Sequence, residues 1–292
     1  MLIVAMSGCS LRGAAIDGLS DALRAGGGIY ASDDDPELVR AATPFSLKLI
    51  ESVLAERPEH VGLLDAAAKG FTQYAYAFVQ LEADEMEETD VAAAYRLRER
   101  ASKLYRRARD YGLRGLDATY PGFTAALRRN PVATLGGTTK ADVPRLYWTG
   151  IAWAAMIALS KDNPDTLADA PLMSTMMERA LTLDEGLDHG ALHVFMINLE
   201  MARAGAAGDL AARAREHFRR AVELSAGRQA GPYVSFAEAV SVQTRNREEF
   251  ETLLGKALKV DIDAAPEWRL INTLMHRRAR WLLDRADRLF TE

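Results

Sequence analysis

Few residues in this sequence could do chemistry, and each also has a plainer role. Cys9 is the one cysteine in 292 residues, so it can complete neither an internal disulfide nor a zinc site. It follows Met6-Ser7-Gly8 at the end of a short apolar run. Bacterial lipoprotein signals have this form: small side chains fit a peptidase cleft, and the thiol accepts diacylglycerol. Several acyl chains on one residue anchor stably, each buried CH₂ contributing about 0.8 kcal/mol. The run carries no basic residue and is shorter than the roughly 7–15 residues of a full apolar region. The expectation is therefore a lipoprotein signal over residues 1–9 whose start lies upstream; the alternative is an incidental cysteine.

His189 and His193 stand four apart, the spacing zinc hydrolases use, but Gly190 occupies the place of their glutamate. Capping and packing are the expected roles. Gly136-Gly137-Thr138-Thr139-Lys140 lacks the spacer and the Gly-Lys-Ser/Thr ending of a phosphate loop, and reads as a flexible insert. Glu82, Asp84, Glu85, Glu87, Glu88 and Asp90 form an acidic cluster. It could dock a basic surface, although a solvated helix end is the default. Tyr147, Trp148 and Trp153 follow the glycine insert closely. Together with Tyr74 they are the candidate ligand-binding residues, since aromatics of this density can line a concave surface; the competing role is repeat core. Arg277, Arg278 and Arg280 suit a polar terminal helix that caps a solenoid. No nucleophile has a base beside it in the sequence, so neither catalysis, a cofactor nor a metal is expected.

The elements that must position these residues are helices. Hydrophobic residues make up 49% and charged residues 26% of the chain, enough apolar content for a sizeable core. The net charge is −5 with both signs mixed, which argues against a nucleic-acid binder. Asp35-Pro36-Glu37 combines a capping carboxylate, a first-turn proline and a favourable charge at the dipole. A helix starts there, bends near Pro44 and ends at Pro58. Beyond it, sets such as Phe71, Tyr74, Ala75, Phe78 and Leu97, Ala101, Leu104, Tyr105, Ala108 recur at helical spacing. Segments 130–144 and 162–171 read as loops, the second on its Asp-Asn-Pro turn signal. No run of alternating β-branched residues predicts a sheet.

One phrase repeats: Met177-Glu178-Arg179-Ala180-Leu181-Thr182-Leu183-Asp184, Phe218-Arg219-Arg220-Ala221-Val222-Glu223-Leu224-Ser225 and Leu254-Gly255-Lys256-Ala257-Leu258-Lys259-Val260-Asp261. The central alanines lie 41 (221 − 180) and 36 (257 − 221) residues apart. This is how the second helix of a tetratricopeptide (TPR) unit ends, with inserts widening the usual period of about 34 residues. The expected fold is all-α, a TPR-like superhelix of stacked antiparallel helix pairs. A tether with a short helix over residues 10–31 precedes one repeat domain over 32–292.

Four stretches resemble a known family: Tyr30-Ala31-Ser32-Asp33-Asp34-Asp35-Pro36-Glu37-Leu38-Val39; Phe71-Thr72-Gln73-Tyr74-Ala75-Tyr76-Ala77-Phe78-Val79-Gln80 with Ala83-Asp84; Leu146-Tyr147-Trp148-Thr149-Gly150-Ile151-Ala152-Trp153; and Arg179-Ala180-Leu181-Thr182-Leu183-Asp184-Glu185. Arg278-Ala279-Arg280-Trp281-Leu282-Leu283 with Leu289-Phe290 also fits. Together they make the chain similar to the T-component (TatT) family of tripartite ATP-independent periplasmic (TRAP) transporters over about residues 6–290. The resemblance implies a periplasmic lipoprotein with a TPR-like fold that self-associates, as a trimer, and engages the solute-binding P-component. It further implies a cleft for an apolar ligand, lipidation at Cys9, and sorting to the outer membrane from Ser10. A TPR scaffold for envelope or outer-membrane protein assembly is the competing reading. A metal-dependent hydrolase using His189 and His193 is a third.

Overall fold

A computed structural model of the chain describes residues 18, 27–160, 162–203 and 207–291. Cys9 and most of the expected tether lie outside the described residues. Among those described there are helices and no strand, so the chain is all-α as its periodicity predicts.

The first helices start where their caps dictate. After the short α1 (Gly27–Ala31), α2 runs over Pro36–Glu56, and Asp35 accepts from the backbone N–H groups of Glu37 and Leu38, each at 3.0 Å. Pro44 is absorbed inside that helix. His60 caps α3 (Val61–Ala75), its Nδ1 accepting from Leu63 N–H. A π-helical turn, Tyr76–Gln80, then leads into α4 (Leu81–Met86). Asp90 caps the longest helix, α5 (Val91–Thr119).

Two short helices follow, α6 (Phe123–Arg129) and α7 (Pro131–Gly136), and then α8 (Val143–Ala158), α9 (Pro164–Leu167) and α10 (Ala170–Leu183). The array continues through α11 (Ala191–Ala202), α12 (Leu210–Leu224) and α13 (Gly231–Phe236). A second π-helical turn, Ala237–Ser241, precedes α14 (Arg247–Ala257), α15 (Arg269–Leu283) and α16 (Ala286–Leu289).

Both predicted loops are more structured than expected. Asn130 caps α7 and Asn163 caps α9, each followed by a first-turn proline. The glycine insert is held rather than free. Thr139 and Asp142 form a reciprocal capping box, Thr138 is buried, and Arg179 donates to the Thr138 carbonyl at 2.7 Å. Side chains and caps consume its polar groups, so it makes no phosphate cradle.

Packing follows the chain. α3 lies against α2, α5 and α8, α5 against α8, and α8 against α10; α11 pairs with α12, and α13 leads on to α14 and α15. This succession is compatible with stacked helix pairs. The crossings depend on small residues: Ala108, Ala180, Ala221 and Ala257 are all fully buried. At Gly112 of α5 a methyl group would fall inside the Thr149 side chain of α8. A single core runs through the array, and each fully buried leucine or phenylalanine, such as Leu63, Leu116 or Phe250, contributes about 1.5–3 kcal/mol. The series also returns on itself. α15 packs against α1 and α2, and Arg269 donates to the Ser32 carbonyl across 237 residues of sequence.

Candidate functional site

The return of α15 to the start of the array brings together charged residues that are remote in sequence. Tyr76, Gln80 and Asp84 stand four apart along the first π turn and α4. From α5, the Tyr105 hydroxyl donates to Gln80 Oε1 at 2.6 Å, and Arg98 reaches Asp84 and Glu87. From α15, Arg278 donates to Glu238 of the second π turn, with its Nη1 3.3 Å from Asp84 Oδ2. The Arg278 guanidinium also stacks 4.3 Å over the ring of Trp281, and that of Arg285 4.1 Å over the same ring. Arg277 pairs with Glu85, Arg285 and Arg288 with Glu88, and Arg40 with Glu82.

The acidic cluster is therefore only in part a solvated helix end: Asp84, Glu85 and Glu88 form a counter-surface for Arg278, Arg277, Arg285 and Arg288 of α15 and the residues after it, while Glu82 pairs with Arg40, Glu87 with Arg98, and Asp90 caps α5. Two of the three arginines expected to cap a free solenoid end, Arg277 and Arg278, clasp the beginning of the array instead; Arg280 is exposed and takes no part in the clasp.

Electrostatics concentrate at Arg278, which is 7% exposed. Burial works against its charge, but the Glu238 and Asp84 carboxylates more than offset this and raise its pKa. Burial pushes the Asp84 carboxyl up, while Arg278 and Arg98 pull it back. The Tyr76 phenol is pushed up to about 12, chiefly by burial. The Trp281 indole N–H is buried with no hydrogen-bond partner among the described residues. π turns are frequent at functional positions, and here two of them supply Tyr76 and Glu238 to one cluster. Such a cluster can clasp or bind. With its carboxylates tied to guanidiniums, it has no base placed to activate a nucleophile.

A second buried polar group joins α11 to α12. His193 Nδ1 lies 2.9 Å from His217 Nδ1, and His193 Nε2 lies 3.1 Å from Glu185, which in turn accepts from Arg220. Burial lowers both imidazoles, and the neighbouring His193 lowers His217 further. The Arg220 and His193 hydrogen bonds hold the Glu185 carboxyl down at about 2. His189 takes no part in this group; its ring meets Trp268 edge-on at 4.8 Å. The two histidines spaced four apart are thus separated. Among the described residues no group of three or more His, Cys, Asp or Glu side chains could hold a metal.

The four candidate aromatics have separate surroundings. Tyr74 is buried beside Phe78, and its hydroxyl meets Arg100 at 3.3 Å. Trp153 is 1% exposed and donates from Nε1 to Asp169 at 3.2 Å, which marks it as core. Tyr147 and Trp148 meet edge-on at 5.0 Å, with Lys69 over the Trp148 ring. Both keep partial solvent access, while burial raises the Tyr147 phenol. Of the four, this pair alone is half-buried, Tyr74 and Trp153 being buried. Sequence reasoning missed Tyr76, Glu238, His217 and Trp281. Arg278 and Asp84 were noticed, but as separate surface charges.

Comparison with known proteins gives two matches. The profile of the family described as TRAP transporter T-component matches residues 32–290. A protein of Treponema pallidum (strain Nichols), described only as uncharacterized, is 30% identical over 271 residues, which is 90% of this chain and 83% of the relative.

Proposed function

The chain belongs to the TRAP transporter T-component family, and from that premise we propose that it is a non-catalytic, periplasmic lipoprotein that binds the solute-binding P-component of its transporter. Family membership itself makes it an accessory component of a TRAP transporter. Cys9 carries the lipid, residues 10–31 form the tether, and residues 32–292 form the helical binding domain. No helix among the described residues is long and apolar enough to cross a membrane, which is compatible with anchoring by lipid. A tether also raises the local concentration of a membrane-associated partner. In this reading Tyr147 and Trp148 contact an apolar ligand, their partial solvent access supporting that role, and copies of the chain self-associate.

The observation that carries this reading is the extent of the family match, which spans the whole array from α2 to the last helix. The test is a pull-down from the native envelope with the lipidated protein as bait. Recovery of a TRAP solute-binding subunit supports the proposal, and recovery of outer-membrane assembly factors in its place overturns it. Lipidation is tested separately by incorporation of labelled palmitate, which Cys9→Ala must abolish.

A further inference from the structure

Most arginines in this protein are spent on carboxylates. Arg145 pairs with Asp65, Arg213 with Glu200, Arg215 with Glu249, Arg40 with Glu82, and the closure consumes four more. The outward face of α5 differs. Arg96, Arg100, Lys103, Arg106, Arg107 and Arg114 are all exposed there. Positions 96, 100, 103 and 107 are three or four apart, so they share a face. The exposed acids of the same helix are Glu99 and Asp110, and Asp110 is tied to Arg109 at 2.7 Å. Arg107 has Glu51, Arg100 has only the Tyr74 phenol, and Arg114 has the Pro58 carbonyl. Arg96, Lys103 and Arg106 have no ion-pair partner among the described residues. A chain of net charge −5 thus places six exposed cations against two exposed carboxylates on one helix. At about 1.5 Å per residue, positions 96 to 106 cover roughly 15 Å.

We propose that this face of α5 docks an acidic protein surface, with Tyr95, Arg96, Lys103 and Arg106 making the contact. It deepens the transporter reading, on which it rests for the partner's identity, the P-component. Composition favours protein over lipid. Five of the six cations are arginine, whose planar fork pairs bidentately with carboxylates. Tyr95 is 63% exposed beside them, and Tyr with Arg is the pairing enriched at protein interfaces, where Lys is depleted. Adsorption to a bilayer needs apolar side chains to insert, but Leu97 and Leu104 turn inward onto the core, leaving only Val91 and Tyr95 at one end. The charges steer encounter, so the effect falls mainly on the association rate and fades with salt.

The test measures binding of the full chain to its cognate P-component by surface plasmon resonance at low and physiological salt. The triple variant Arg96→Glu/Lys103→Glu/Arg106→Glu is compared with a control, Lys259→Glu/Arg280→Glu, that reverses exposed charges elsewhere. All positions are exposed, and unchanged urea unfolding confirms that the variants fold. The expected result is association at least ten-fold slower for the triple variant and unchanged for the control. Equal binding by wild type and triple variant overturns the inference and leaves the transporter reading standing. If the wild type binds no P-component at high micromolar concentration, the transporter reading fails, and retention on immobilised poly-glutamate decides the rest. Retention lost in the triple variant supports an acidic-protein face, and no retention of the wild type overturns it. Sedimentation with anionic vesicles that depends on the same three residues also overturns it, in favour of lipid.

Discussion

Replacing Arg278 by methionine tests whether the closure is held by charge. Methionine keeps most of the stem, so apolar packing changes by less than about 1.5 kcal/mol, while loss of the cation over the Trp281 ring adds about 0.5–2 kcal/mol at either pH. The guanidinium itself is removed from between Glu238 and Asp84. Breaking a buried pair by deleting one partner costs about 3–5 kcal/mol. The Glu238 side chain is 40% exposed, so water restores part of its solvation and the lower end, about 3 kcal/mol, applies. The loss is read by urea unfolding at pH 7.5 and again at pH 5. Without Arg278 the folded-state pKa of Asp84, already raised by burial, rises further above its unfolded value. Folded protein then takes up protons more readily than unfolded protein as pH falls. The deficit is therefore largest above the raised Asp84 pKa and shrinks as pH falls through it. Adding Asp84→Asn and Glu238→Gln to the variant should recover most of the loss at pH 7.5. A deficit that is equal at both pH values, and untouched by neutralising the carboxyls, would refute the electrostatic account and assign the cost to packing.

Four further outcomes are expected. Gly112→Ala gains about 1 kcal/mol of helix propensity, but its methyl meets Thr149, an overpacking cost of about 1–3 kcal/mol. Denaturant unfolding should show net destabilisation that Thr149→Ala partly relieves, and a Gly112→Ala protein more stable than wild type would show that α5 and α8 can separate freely. Burial lowers the folded-state pKa of His193 and His217, so their contribution is complete above the unfolded value near about 6.5 and is lost as pH falls toward the folded values. Stability measured from pH 7 to 5 should fall less steeply in His193→Gln/His217→Gln; identical slopes would mean that both imidazoles take up protons in the folded protein as readily as in the unfolded chain. Trp153→Phe leaves the buried Asp169 without its indole donor and should cost about 1–3 kcal/mol in the same assay, whereas an unchanged midpoint would mean that Arg128 alone satisfies that carboxylate. Exposed pairs such as Arg277–Glu85 are worth about 0–1 kcal/mol each and are screened by salt. Hydrogen exchange in α15 should therefore quicken in high salt while α3 stays protected, and equal protection in both would place the strength of the closure in apolar contacts.

Local physics made the helices legible. The Asp35-Pro36-Glu37 start, the Asp90 cap and the fully buried alanines at 180, 221 and 257 depend on neighbours within a turn or on one repeating contact. The same signals were present but overlooked in both supposed loops, where Asn130-Pro131 and Asn163-Pro164 are helix starts. The candidate site was far less legible. Arg277 meets Glu85 across 192 residues, and nothing in either residue's surroundings names the other. The π turns Tyr76–Gln80 and Ala237–Ser241 carry no glycine or proline to mark them. Four-residue spacing paired His193 with His189, whereas the register of α11 against α12 pairs it with His217. The aromatic run at 147–153 divides by helical phase, Trp153 into the core and Tyr147 with Trp148 toward solvent.

An open stack of repeats has two ends, each able to fray while the middle stays folded. Joining α15 to α1, α2 and α4 ties the two ends together, so loss of either terminal segment should expose the other, and the array is expected to unfold as one unit. The join is also the step expected to form last. Contacts between adjacent units, such as Arg278 with Glu238, span 40 residues, and the pair of Arg277 with Glu85 spans 192. With closure entropy scaling as (3/2)RT ln n, the longer span costs about 1.4 kcal/mol more. Until it forms, each chain shows carboxylates at one end and arginines at the other. A second chain in the same condition satisfies both equally well, and exchange of such elements between copies is a low-cost route to assembly. Refolding concentration should therefore set the balance between self-closed monomers and head-to-tail assemblies, which size-exclusion chromatography after refolding at two concentrations would resolve.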